Sequence, residues 1–437
     1  MAKLGFKMKC KLRLTFCILI ILTILLLTPF QVCSASTGWS QTYQGTGYPS
    51  IGFTQTNDGG YAITGWAGQA KIGSTNNDAI LIKTDSFGNK TWGKTYGGPL
   101  NDGTNTVIAT KDGGFALLGY LSDGVGHSKI WLIKTDSSGE LQWNKTLAEG
   151  LGNSLVQTSD EGYAIAGFIP NGFLFLKTDS LGNVQFTNVL GNIPIQGTWK
   201  VSNEASSIAQ TLDGGFIIAG QGESQSNSSD RDVWLFKTDA SGNALWNQKI
   251  GGTQYDGASQ VIQTSDGGYA LVGYTFSYGN GKNDVWLVKL DSSGSTQWDK
   301  TFGGSEDDFG SGLVQTSDGG YALIANTKSF GTGGQDFWLL KVDSFGNKVW
   351  DQTYGGAKDE GAGSLVLTED GGYALAGYSD SFGNGQKNFW LVKTDASGVV
   401  PEFSTLVWLS IIVLFTTALV YYKFRRSGKI PIRNYGR

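Results

Sequence analysis

Short apolar stretches recur along most of this chain, each closed by a polar, glycine-bearing turn. In "YALVGYTF" (269–276) and "DVWLVKL" (284–290) the apolar residues run on without clean alternation, which predicts strands buried on both faces. "SDGG" stands before the first of them and "DSSGS" follows the second. Glycine supplies the positive φ that tight hairpins need, and aspartate caps local N–H groups. With "ASQVIQT" ahead and "TQWDKTF" behind, the segment reads as four short strands.

The chain repeats this unit seven times. The turn aspartates are Asp58, Asp112, Asp160, Asp213, Asp266, Asp318 and Asp370, spaced by 54, 48, 53, 53, 52 and 52 residues. Units of roughly 50 residues, four-stranded and carrying periodic glycine and aromatic residues, predict a β-propeller. The expected fold class is therefore all-β, a seven-bladed propeller of four-stranded blades. The seventh unit stops at "KTDASGVVPEF", where its fourth strand belongs, while "GWSQTYQG" (38–45) matches "TWGKTYGG" and "VWDQTYGG". Residues Trp39 to Tyr43 are thus predicted to pair with the strand containing Trp390 and close the ring, without which the first and last blades would each leave an edge and an apolar face exposed. This strap resembles the closure of WD-repeat propellers. The turn pattern D-x-x-G-x-x-x-W, as in "DSSGELQW" (136–143), resembles the tryptophan motif of pyrroloquinoline-quinone and BamB-like propellers, one residue shorter. That resemblance extends to turn geometry and brings no quinone ligands with it.

Composition agrees: 65 Gly and only 7 Pro among 437 residues, with 12% aromatics. Charge is divided unevenly. The segments flanking the two terminal apolar runs hold 11 basic residues, leaving 22 against all 37 acidic ones in the body. An acidic body repels phosphates, which argues against nucleic acid.

The ends carry addresses. "MAKLGFKMKCKLR", an apolar run from Leu14 to Phe30 and "QVCSAS" form a secretory signal pattern, with cleavage expected after Ala35 and an uncleaved anchor as the alternative. All three cysteines (Cys10, Cys17, Cys33) fall within it. Phe403 to Tyr422 is uncharged and followed by "KFRRSGK", which predicts a membrane helix with its tail inside the cell. Pro401, Glu402 and Phe403 before that run resemble the sorting signals of archaeal exported proteins, which implies an archaeosortase-like processing enzyme. The whole chain resembles the repeat-propeller surface proteins of archaea. The expected layout is a signal peptide (1–35), the propeller (36–398), a linker with the PEF motif (399–404), a transmembrane helix (405–422) and a basic tail (423–437).

Candidate chemistry is sparse. The sole histidine, His127, has neither a cysteine partner nor a second histidine, so zinc and Ser–His–Asp arrangements are excluded. No phosphate loop or EF-hand series is present, and no catalytic residue is expected. Each unit carries a lysine two residues before its second turn aspartate: Lys83, Lys134, Lys177, Lys237, Lys289, Lys341 and Lys393. Ion pairs with the seven first-turn aspartates are the expected role, a binding ring the alternative. On the opposite face, equivalent positions near the inner rim read Tyr48, Asp102, Gly150, Asn203, Asp256, Asp308 and Glu360. The four acids are either strand caps or a candidate ligand site, with calcium the only cofactor considered. Phe276, Tyr278, Phe330 and Phe382 sit in loops where they either pack or stack on sugars. Asn89, Asn144 and Asn227 lie in N-x-[ST] sequons. The reading is a cell-surface, membrane-anchored binding or scaffold protein whose partner is a surface protein or glycan. The alternative is a glycan-active enzyme, which needs two carboxylates across one pocket, one with a raised pKa.

Overall fold

The turn before each second strand shows how these residues make this backbone. In "TSDGG" the Thr264 N–H donates to Gly268 O, Gly267 N–H donates to Thr264 O, and Gly267 takes φ +81°. Asp266 closes the loop by accepting the Gly268 N–H and the Thr264 hydroxyl. The same bonds recur in all seven units. One turn differs in sequence: Glu161, φ +66°, occupies the position that is glycine in the other six.

A computed structural model describes residues 38–44, 52–68, 77–169, 172–191, 204–223, 231–384 and 387–400. These residues form seven four-stranded antiparallel sheets. Blade 1 spans Gly52–Tyr96, blade 2 Asp102–Glu149, blade 3 Leu151–Leu190 and blade 4 Glu204–Ile250. Blade 5 spans Asp256–Phe302, blade 6 Asp308–Tyr354, and blade 7 Glu360–Lys393 together with Trp39–Gln44. The N-terminal strand pairs with the third strand of blade 7, Thr42 opposite Trp390, so the predicted closure is observed.

The hydrophobic cores lie between blades. Val285 and Leu287 of blade 5 pack with Leu323, Trp338 and Leu340 of blade 6. Second and third strands are therefore buried on both faces, as their unbroken apolar runs foretold. Each seam is also fastened by an outer-strand aromatic. Trp298 lies against Gly346 of the next blade and meets Tyr321 edge-on at 6.1 Å. Trp39 does the same to Gly88 and Tyr61 of blade 1, where Tyr43 OH also donates to Gly88 O at 2.6 Å. In blade 3 Phe186 takes the tryptophan's place. Burying such a ring contributes about 1.5–3 kcal/mol. The N-terminal strand thus completes one blade and holds the next.

Because strands alternate in direction, the 1–2 and 3–4 turns emerge on one face of the ring. The 2–3 loops and the connections between blades emerge on the other.

Candidate functional site

Among the described residues six first strands carry a β-bulge, and the extra residues are Asn105, Asn153, Ser206, Ser259, Ser311 and Gly363. All six line a central cavity of about 450 Å³ with no charged side chain on its described wall. The bulges aim polar groups inward, and some bind the neighbouring blade: Asn105 Nδ2 donates to Gly152 O at 2.8 Å and Asn153 Nδ2 to Ala205 O at 3.0 Å.

On the short-turn face all seven lysines meet their turn aspartates. Nζ–Oδ2 distances run from 2.6 Å for Lys177–Asp160 to 2.9 Å for Lys341–Asp318. The lysines are buried and the aspartates half open to water. Partial burial works against the charge of Asp58, Asp213 and Asp266, but bonds from lysine, threonine and glycine outweigh it and hold each at about 2. At Asp318, also at about 2, the Thr316 hydroxyl leads.

On the long-loop face, Asp102, Asp256, Asp308 and Glu360 each begin the first strand of a different blade. All four are buried and none lines the central cavity. Each caps the chain before it: Gly98, Gly252, Gly304 and Gly356 N–H donate to them at 2.7, 2.7, 2.9 and 2.7 Å. Serine hydroxyls add to this, Ser277 to Asp256, Ser329 to Asp308 and Ser379 to Glu360. Asp102 also borders a cavity of about 600 Å³ between blades 1 and 2. Of the other positions in that series, Gly150 is described; Tyr48 and Asn203 lie outside the described residues.

Sequence reasoning missed what these acids face. Across each seam stands a second buried aspartate, first or second in the third strand of the preceding blade: Asp78, Asp232, Asp284 and Asp336. A methyl carbon built on Gly303 would fall 1.7 Å from Asp284 Oδ1 and 2.9 Å from Asp308 Oδ2; on Gly355 it would fall 1.6 Å from Asp336 Oδ1 and 2.8 Å from Glu360 Oε2. Only glycine leaves room for two carboxylates to converge there. Burial first, then the Asp308 charge, pushes Asp284 up. Burial, then Glu360 and Asp359, pushes Asp336 up to about 6. The signal was a joint one, a Gly-Gly pair with an acid five residues after its first glycine and another nineteen residues before it, at or next to the start of the third strand.

Three aromatics stand at one loop position in blades 5, 6 and 7. Tyr278, Phe330 and Phe382 tilt against Trp286, Trp338 and Trp390 at centroid distances of 5.6, 4.9 and 5.1 Å, and remain 45, 40 and 39% exposed. Phe276 instead packs edge-on to Tyr255 and Tyr274. His127 is exposed, 3.0 Å from Asp123. Asn89 and Asn144 are exposed, while Asn227 and the Pro401–Glu402–Phe403 motif lie outside the described residues.

No family model matches the chain, and no curated protein is similar to it in sequence. Among solved structures it is similar to the WD40 β-propeller domain of Doa1, at 12% identity over 81% of this chain and 95% of that one, TM-score 0.51. A protein of unknown function from Dyadobacter fermentans gives 12% identity over 82% and 97%, TM-score 0.48. The β-propeller domain of the Trilobed protease from Pyrococcus furiosus gives 11% over 83% and 99%, TM-score 0.45. This chain is a seven-bladed β-propeller. At such identities the likeness speaks for the fold alone.

Proposed function

We propose that this propeller is a non-enzymatic binding or scaffold module held outside the cell, with its long-loop face as the working surface. The observation that carries the reading is the row of Tyr278, Phe330 and Phe382. Three half-exposed rings repeat at one position on consecutive blades, each braced by a tryptophan. Loops on a rigid scaffold are where binding resides, and flat rings held this way suit stacking on sugar rings or apolar contact with a surface protein. The signal-like segment 1–35, the apolar run 405–422 and the PEF motif support export, anchoring and recognition by a sorting enzyme. Asn89 and Asn144 are exposed, as glycan acceptors must be.

The catalytic alternative needs paired carboxylates that a substrate can reach. The pairs exist, but all eight acids are at most 3% exposed, too deep for a glycosidic bond.

A glycan array and a pull-down with residues 36–400, beside a Tyr278→Ser, Phe330→Ser, Phe382→Ser variant, test the binding reading. We expect a glycan or protein ligand whose affinity falls about tenfold or more in the variant, at about 0.5–1.5 kcal/mol per ring. No ligand for the parent, or equal binding by the variant, sinks it.

A further inference from the structure

The seven seams fall into two kinds. Four have an acid on both sides: Asp78 with Asp102, Asp232 with Asp256, Asp284 with Asp308, Asp336 with Glu360. At the other three the equivalent sequence positions carry no acid: Lys129 and Gly150, Gly172 and Asn203, Asn388 and Tyr48, of which Asn203 and Tyr48 lie outside the described residues. The Gly-Gly pair that makes room appears at the same four seams and at no other. Buried like charges disfavour one another, so independent substitution would separate them. Here they occur together or not at all, which marks the pair as the unit.

The pairs are under-satisfied. Asp284 and Asp336 each spend Oδ2 on one loop N–H, from Asn280 at 2.5 Å and Thr332 at 2.6 Å. Asp284 Oδ1, Asp308 Oδ1 and Asp336 Oδ1 accept no hydrogen bond from the protein, although these residues are at most 2% exposed. Beside Asp284, the fully buried Asn283 has neither amide atom bonded. Two carboxylates in such a place need positive charge. At the seam between blades 4 and 5 the chain supplies it: Lys249 Nζ lies 2.6 Å from Asp232 Oδ2. Lys249 stands opposite Trp234; the equivalent residues opposite Trp286 and Trp338 are Thr301 and Thr353. Those seams have the anionic pocket without the ammonium.

We infer that the Asp284–Asp308 and Asp336–Glu360 seams each bind a divalent cation that bolts adjacent blades together, standing where Lys249 stands in its own seam. The donors on hand are oxygens: two carboxylates at each seam, with the Ser329 hydroxyl on Asp308 and the Ser379 hydroxyl on Glu360. That set suits calcium, which accepts irregular shells, over magnesium, which demands an octahedron and keeps its waters. The inference goes beyond the binding reading and does not depend on it, since these ions hold the scaffold, not the ligand.

The test uses the full chain, stripped with EDTA and then dialysed against calcium chloride. Bound calcium is measured by atomic emission and melting is followed with and without the ion. We expect bound calcium and a rise in melting temperature of roughly 5–10 °C. Thr301→Lys with Thr353→Lys should bind about two ions fewer, melt higher than the stripped parent and respond less to calcium. Should the lysine variant not fold, Asp284→Asn with Asp336→Asn keeps the shapes, removes half the charge and should also lose calcium. A parent that binds no calcium, or one whose binding survives both variants, overturns the inference; a lysine variant that gains stability while calcium never shifts the parent reduces the pairs to mutual repulsion.

Discussion

The two faces of the ring treat the ends of the third strand in opposite ways. At or one residue before its end every blade has a lysine, and the first turn of the same blade delivers an aspartate to it, seven times out of seven. At its first or second position four blades have an aspartate, and what arrives across the seam is another acid. The short-turn face closes its own charge account within each blade. The long-loop face leaves its charge open between blades, and in one seam Lys249 closes it. A repeated pair that compensates itself is architecture. A repeated pair that does not compensate itself points to something supplied from outside.

The largest effect should come from the seam at which the ring closes. Blade 7 joins blade 1 through Trp39 and Tyr43, with no acid pair among the described residues there. Deleting residues 38–44 removes a strand and two aromatic anchors together, exposing an edge and an apolar face. We expect the deleted protein to be recovered as aggregate; a soluble monomer with a cooperative melt would show that the strap is dispensable.

Within the short-turn face the pair is asymmetric, since the lysine is buried and the aspartate open: side chains of Lys341 and Asp318 are 8 and 62% exposed. Asp318→Ala strands a buried ammonium and loses the Thr316 and Gly320 bonds of the turn, at a cost of roughly 2–3 kcal/mol. Lys341→Met leaves an aspartate that water can solvate and fills the same space, at about 1 kcal/mol. Urea titrations of the two variants should rank them in that order. The reverse order would mean that the lysine, not the turn, carries the energy.

The faces should also separate along the pH axis. Asp58, Asp213, Asp266 and Asp318 are held at about 2 in the fold, below the ordinary aspartate value. Their contribution is present above about pH 4 and is lost as pH falls through 2. Asp336, pushed up to about 6, runs the other way: its share is full in acid and lost as pH rises through about 6 in calcium-free buffer. Melting temperature against pH without calcium should therefore fall on both sides of a maximum near pH 4–5. A curve flat from 4 to 8 would remove the second limb and leave the first.

The fold was legible because its signals repeat within one blade. A glycine turn, an unbroken apolar run and a lysine at fixed spacing say the same thing seven times, and each depends only on neighbours in the chain. The lysine–aspartate pairs followed from strand order alone. The seam carboxylates did not. Asp284 in "NDVW" looks like a loop residue, and its burial depends on a glycine nineteen residues later and on the first strand of the next blade. Asp308 was found as a position in a ring, but a ring position says nothing about what lies across the seam. The two could be joined only once the register placed Gly303 between them.

The smallest effect tests whether the short-turn face is as uniform as its bonds. Glu161 holds φ +66° where the other six turns have glycine, and a side chain in that region costs about 1–2 kcal/mol. Glu161→Gly removes the strain but gives the unfolded chain more freedom, so the net gain should be about 0.5–1 kcal/mol. The converse change is Gly267→Ala, at φ +81° with nothing within 4 Å of the new methyl; it adds strain without a clash and should cost a similar amount. Because the hydrogen bonds of both turns are the same, the pair isolates backbone conformation from everything else. Equal melting for parent and both variants would mean that the turn relaxes at no cost.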